Sequence, residues 1–330
     1  MLHARGDQNP RWRKRLSGLR AADLFQVTDF LLTTLARVVI AFLQALPLGA
    51  VAWLGRTFGG LAYLLDARHR KMAAQNLAMC FPEKSAVEVR ALARENFRRI
   101  GESFACAVKT ASFDAAGIRA VTEFVGAEKF PQTGAGEPRR SVVCALGHFA
   151  NFELLGRTGL FVPGYQTATT YRGLRQAGLT RVMQSLREQS GTLYFERRTD
   201  AEALKAAMHR PGMMLGLFTD QHAGDRGARL PFFGRDCSTS VAAGVLALRY
   251  GCPLFPVICF RTAPGRWRIE VGDEIPTHQA GKPRATEDIA RDMNRAYEAA
   301  IRRDPANWFW VHNRWKEGKW RVEKKHEDQD

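Results

Sequence analysis

The 330-residue sequence has no C-x-x-C pair, and its six cysteines (Cys80, Cys106, Cys144, Cys237, Cys252 and Cys259) sit mostly in apolar contexts. This usage speaks for reduced core thiols over a disulfide framework or a thiolate metal site. G-x-x-x-x-G-K-[ST], G-x-G-x-x-G and H-E-x-x-H are also missing, which argues against nucleotide-dependent and zincin chemistry. There is no G-x-S-x-G elbow: "GESFA" (101–105) lies within a strongly helical stretch, not the strand-turn-helix such a nucleophile needs. No internal repeat is visible, and no small-residue cleavage site follows a short apolar core near the first residues. Acid is scarce: 33 Asp plus Glu face 49 Lys plus Arg, a net charge of +16. Such a surface attracts polyanions, whether nucleic acid, anionic lipid or an acidic carrier protein. No basic-aromatic module or recognition helix supports the nucleic-acid option.

With 45% apolar residues the chain can bury a large core. A basic leader, residues 1–29 with "RWRKRLSGLR" at 11–20, precedes an apolar segment at 30–66. Between Arg37 and Arg56 the chain carries no charge, about the length of one membrane crossing. Pro47 and Gly49 interrupt it, so two short helices in or dipping into one leaflet fit better than a clean span. A buried helical hairpin in a soluble protein is the bland alternative. Basic residues before the segment favour a cytoplasmic N-terminus if it inserts.

Residues 85–110 read as a helix opening on a Ser85/Glu88 capping box. From residue 141 onward, strands at 141–146, 165–170, 213–218, 254–260 and 266–271 interleave with helices near 151–160, 174–190, 199–210 and 239–250. Thr199 and Glu202 form a second candidate capping box, and a closing helix covers about 286–303. Short apolar strands alternating with helices imply an α/β fold, a mostly parallel central sheet flanked by helices. The charged tail, 317–330, reads as solvated.

In such sheets functional groups collect where strands end. "SVVCALGHFANFELLG" (141–156) ends a strand at His148, with Asn151 as a candidate N-cap and Glu153 in the first turn of the next helix. The spacing lets Glu153 fold back onto the imidazole, fixing its tautomer and freeing the other nitrogen as a general base. The bland alternative stands beside it: Asn151 caps, Glu153 complements the helix dipole and His148 is incidental.

"GHFANFE" is an H-x-x-x-x-E motif after a strand, and it resembles the lysophospholipid acyltransferase superfamily. More narrowly, "TTYRGL" (169–174), "TDQ" (219–221), "LPFFG" (230–234), "LALRYGCPLFPV" (246–257) and "NWFWVHNRWK" (307–316) resemble, in order, blocks of the lipid A biosynthesis lauroyl/myristoyl acyltransferase family. Gly173 stands where that family often has Pro, and Asp225 with Arg226 charges the 222–229 loop. The resemblance covers about residues 30–316 and makes 67–316 an acyltransferase domain. It implies transfer of a fatty acyl chain from an acyl carrier protein or acyl-CoA thioester to a hydroxyl of an anionic lipid A precursor, on the cytoplasmic face of the bacterial inner membrane. Membrane lipid would be a further partner, with no metal or other cofactor. His148 and Glu153 would be the catalytic dyad. Substrate-binding roles fall to Arg172 (phosphates or the oxyanion), Asp220 (positioning Arg172 or the substrate), Gln221, and Phe232, Phe233 and Gly234 (acyl channel and a tight turn). Aromatic core packing explains the two phenylalanines equally well, and a solvated arginine and a turn-forming aspartate are the bland readings of Arg172 and Asp220. "WFWVHNRW" reads mostly as structure, an aromatic-basic edge near the headgroups. Another glycolipid or lysophospholipid acceptor is an alternative, and a lipid hydrolase activating water is a third.

Overall fold

The computed structural model describes residues 21–134 and 137–317, so most of the basic leader and nearly all of the charged tail lie outside the described residues. The apolar segment forms two helices, α1 (Ala21–Ala45) and α2 (Leu48–Leu65), divided where Pro47 takes the N-cap of α2. Helix α1 begins earlier and runs longer than the two short helices expected from 30–66. Both helices are long and apolar enough to cross a membrane, and among the described side chains of α1 only Thr33 is buried. Phe30, Leu31, Leu35, Val38 and Phe42 on α1, and Trp53, Phe58, Leu64 and Leu65 on α2, face outward. An apolar surface of this extent marks a lipid- or protein-facing site.

The other face of α2 meets α4 (Ala86–Thr110) backbone to backbone. A Cβ on Gly59 would lie 2.2 Å from the Phe97 carbonyl oxygen, and one on Gly101 2.2 Å from the Gly55 carbonyl oxygen. Glycine is therefore required for the approach. Beside this seam Arg56 pairs with Glu95 (2.9 Å) and Glu102 (3.2 Å). The buried Glu102 carboxylate also accepts from Arg261 Nε and from the Gly265 amide. These bonds tie the helical platform to the sheet. Helix α4 opens on the Ser85/Glu88 capping box foreseen from sequence, with both reciprocal hydrogen bonds present. Between α2 and α4 lies α3 (Ala67–Cys80), and α5 (Ala115–Val121) follows α4.

The central sheet has seven strands. In chain order they are β1 (Thr122–Val125), β2 (Val142–Leu146), β3 (Gln166–Tyr171), β4 (Leu193–Glu196), β5 (Met213–Phe218), and, after an outlying hairpin β6 (Ala228–Phe232) and β7 (Arg235–Thr239), β8 (Leu254–Ala263) and β9 (Arg266–Val271). The spatial order is β1-β9-β8-β2-β5-β3-β4. Five neighbours, β8 to β4, run parallel, while β9 pairs antiparallel to β8 and β1 runs alongside β9. The mostly parallel α/β architecture is as expected. All of β2 is buried, as a strand covered on both faces must be. Val143 and Ala145 face α3, α4, α8 (Ala242–Arg249) and α9 (Thr286–Arg303), while Val142, Cys144 and Leu146 face α2, α5 and the 3-10 helix at Phe152–Leu160. All six cysteines are free and buried.

Among the elements not read from the sequence are helices α3 and α5, two strands and a hairpin. Strands β1 and β4 are four-residue edge strands, and the β6–β7 hairpin lies outside the main sheet. The second capping box does not form. Helix α7 (Ala201–Met208) takes Asp200 as its N-cap, and the Thr199 hydroxyl donates to Asp200 Oδ1 instead. Helix α6 (Ala177–Arg187) docks on α1: the Gly178 amide donates to Asp29 Oδ2, and the Arg175 guanidinium lies over the Phe25 ring.

The α2–α4 seam yields a stability expectation. Gly101→Ala should lower the melting temperature clearly, because overpacking typically costs about 1–3 kcal/mol. Gly60→Ala should be near neutral, since a Cβ there meets only the Arg98 side chain at 3.5 Å. Equal melting temperatures for the two variants, measured in detergent, would refute the close-contact account.

Candidate active site

Strands β2 and β5 are paired with Leu146 opposite Phe218. Two residues further along each chain stand His148 and Asp220, so an equal offset past two paired strand ends brings them together. His148 Nδ1 lies 2.8 Å from Asp220 Oδ1, and the His148 backbone amide donates to Asp220 Oδ2 at 2.7 Å. The indole of Trp308 donates to the same Oδ2 at 2.8 Å. Asp220 is only 1% exposed. Burial pushes its pKa up, but attraction to His148, the hydrogen bonds from the His148 ring and amide and the Trp308 bond together hold it below the ordinary aspartate value. A charged carboxylate on Nδ1 places the ring proton there and leaves Nε2 with its lone pair.

The turn carrying His148 is clamped. A Cβ on Gly147 would meet the Phe149 ring at 2.4 Å, Phe149 bridges to Trp308, and the Ala150 amide donates to the Asn307 carbonyl. The Tyr297 hydroxyl donates to the Leu146 carbonyl and shares a hydrogen bond with the Thr219 hydroxyl, holding both strand ends from below. The imidazole packs against Phe152 and Phe218, with centroids at 4.9 and 4.6 Å. Its open edge faces a cleft of about 870 Å³, lined also by Glu153, Arg172, Arg187 and Gln221.

The pairing of His148 with Glu153 expected from their spacing is corrected by the structure. Glu153 bonds Arg187 through both oxygens, at 3.0 Å to Nε and 2.6 Å to the terminal nitrogen. The bidentate guanidinium, itself stacked over the Tyr194 ring, takes both carboxylate oxygens across the cleft wall. The segment after Asn151 is a 3-10 helix, not an α-helix, and the Asn151 side chain caps nothing; its amide reaches the Thr110 hydroxyl at 3.4 Å. The carboxylate that meets the His148 ring is the non-local Asp220.

Arg172, one residue past β3, is exposed and lines the cleft, with no carboxylate at ion-pair distance among the described residues. Asp220 does not position it, because its oxygens are taken by His148 and Trp308. Phe232, Phe233 and Gly234 lie away from the cleft. Phe232 is fully buried against Trp308 and Trp315, and Phe233 packs on Phe81 beneath the Arg302 guanidinium. Phe233 (φ 50°) and Gly234 (φ 71°) make the two-residue turn of the β6–β7 hairpin, whose left-handed backbone favours glycine. An acyl channel at these phenylalanines is therefore replaced by core packing. The "WFWVHNRW" segment is likewise no exposed edge: Trp308, Trp310 and Arg314 are fully buried, with Arg314 bonded to Ser238 and Thr239. Trp308 was missed as a site residue; the one signal is that a buried indole N–H needs an acceptor.

A mostly parallel sheet with a His–Asp pair at the carboxyl ends of adjacent strands, opening on a cleft, is the arrangement of an α/β enzyme. Residues 21–317 match the family model for bacterial lipid A biosynthesis acyltransferase, and the chain belongs to that family and is an acyltransferase. It is 26% identical over 275 residues, 82% of this chain and 86% of the relative, to the lipid A biosynthesis palmitoleoyltransferase of Escherichia coli (strain K12). To the lipid A biosynthesis lauroyltransferase of the same organism it is 25% identical over 288 residues, 86% of this chain and 91% of the relative. The lipid A biosynthesis acyltransferase of Shigella flexneri matches at 26% over 275 residues, again 82% of this chain and 86% of the relative.

The terminal segment also makes the fold sensitive to acid. His312 Nε2 accepts from the His222 amide at 3.1 Å, and burial pushes the His312 pKa down to about 4, with Arg314, His148 and His222 adding to the effect and Asp220 opposing it. The unfolded chain takes up this proton near pH 6.5 and the folded chain only near 4. Its contribution to stability is therefore complete above about pH 6.5 and is lost as pH falls towards 4. His312→Gln, which keeps an acceptor, should reduce the drop in melting temperature between pH 7 and pH 4.5. A drop as large as in the parent protein would refute this.

Proposed function

We propose that the protein transfers a fatty acyl chain from an acyl carrier protein or acyl-CoA thioester to a hydroxyl of a lipid A precursor, with His148 as general base and Asp220 as its orienter. The observation that carries this is the Nδ1–Asp220 bond, which leaves Nε2 free at the cleft. Nε2 takes the proton of the acceptor hydroxyl as that oxygen attacks the thioester carbonyl carbon. The resulting oxyanion needs donors, and Arg172 at the rim is the candidate cation for substrate phosphate or for that oxyanion. Collapse breaks the C–S bond, the thiolate takes the proton back from the imidazolium, and an ester and a free thiol leave. Buried Asp220 steadies the imidazolium that forms between these steps. Gln221 contributes to the substrate wall, while Glu153 with Arg187 braces the side of the cleft next to His148.

The outward apolar faces of α1 and α2 and the +16 charge suit an enzyme seated on the anionic cytoplasmic face of the inner membrane, where acceptor and carrier are also anionic. The names of the relatives point to the same acceptor class. A hydrolase using the same base on water would release free fatty acid without an acylated acceptor.

Mass spectrometry of lipid A from a host lacking its late acyltransferases, with and without this protein, tests the reading. One added acyl chain is expected, and unchanged lipid A would refute it. His148→Ala should lose about a hundred- to ten-thousand-fold in transfer, the usual range for a general base. Asp220→Asn should lose a comparable factor, and the double variant should be scarcely worse, because the two act as one unit. Glu153→Gln should be milder than Asp220→Asn. The reverse ranking would return the orienting role to Glu153.

A further inference from the structure

The cationic side of the cleft extends past Arg172. In the parallel pair β3–β4, Tyr171 stands opposite Glu196, and the Arg197 amide donates to the Tyr171 carbonyl. Arg172 thus leaves β3 where Arg197 and Arg198 leave β4, and all three line the same cleft. All three are exposed, and none has a carboxylate at ion-pair distance among the described residues. The fourth cleft-lining arginine, Arg187, is already neutralised by Glu153.

An acid does stand between them, but it is turned to another task. Glu196 Oε2 accepts from the backbone amides of Arg198 (2.7 Å) and Thr199 (3.2 Å), and Oε1 accepts from the Gly173 amide at 3.4 Å. These bonds, led by the Arg198 amide, hold its pKa below the ordinary glutamate value. The carboxylate therefore staples the two loops that carry Arg172 and Arg198 and pairs with none of the three guanidiniums. Three cations on neighbouring strand ends repel one another unless an anion arrives, and forked guanidiniums match phosphate oxygens.

We infer that Arg172, Arg197 and Arg198 form a phosphate-binding subsite on the β3–β4 side of the cleft, with Glu196 holding its two loops in place. This rests on the acyltransferase reading and deepens it. The phosphate could belong to the glycolipid acceptor or to the phosphate-bearing arm of the thioester donor, and these share one recognition chemistry.

The test uses the full chain in detergent, comparing the parent with Arg197→Ala/Arg198→Ala and with Arg90→Ala/Arg94→Ala, an exposed pair on α4 outside the cleft with the same loss of charge. Inorganic pyrophosphate should inhibit the parent and the α4 variant competitively, and the cleft variant about tenfold less or weaker still, for the loss of charge-assisted contacts. The KM of the cleft variant should rise by a similar factor for one substrate: the acceptor if its phosphate is held, the donor if its arm is. Melting temperatures report whether each variant folds. Both KM values at the parent level with unchanged pyrophosphate inhibition would overturn the subsite, as would an equal loss in the α4 variant. Weaker binding to phosphatidylglycerol vesicles with both KM values intact would also overturn it. If the parent acylates no lipid acceptor, the functional reading fails on its own, and pyrophosphate binding to the three proteins still decides the subsite.

Discussion

A carboxylate stripped of water fixes the centre of this molecule. Asp220 stays ionised in the interior only because an imidazole, a backbone amide and an indole each direct an N–H at it. The first two belong to His148 and the third to the remote Trp308, and both residues must be held. The crowded Gly147 turn, the Tyr297 bridge between strand ends and the burial of Trp308 all meet that need. The aromatic terminal segment is thus the floor beneath the His148–Asp220 pair.

What the sequence made legible was mainly local. The Ser85/Glu88 box lies within one turn, and its hydrogen bonds need nothing from the rest of the fold. The Thr199/Glu202 pattern has the same form, but Asp200 is a competing cap one residue away. His148 and Asp220 were each recognisable as polar residues closing an apolar strand. That they meet depends on β2 and β5 being neighbours, which follows from crossovers and not from any motif. Glu153 was preferred as partner because proximity along the chain is visible in a sequence, whereas Arg187, which claims it, belongs to another element. Trp308 and Phe232 were misplaced for a related reason. Composition does not distinguish an aromatic belt at an interface from an aromatic core.

The two halves of the molecule meet through contacts of opposite character. On one side glycines let α2 and α4 touch, and charged Arg56 and Glu102 lock the platform to the β8–β9 turn. On the other, one carboxylate of apolar α1, Asp29, receives an amide from the first turn of α6, the helix that carries Arg187 to the cleft wall. The outward apolar helices are therefore joined to the sheet along two separate lines, and the cleft lies beyond the second of them.

The dispersal of the site has a consequence for its geometry. His148 and Asp220 are 72 residues apart, and Trp308 lies 88 beyond Asp220. Each of these contacts closes a long loop, and parallel strands must find their register before any of them forms. Helix α4 is capped by its own residues, while the His148–Asp220–Trp308 contacts exist only when three remote segments have met. The contacts around Asp220 are consequently non-local throughout, and their geometry is set by the whole fold and not by any one segment.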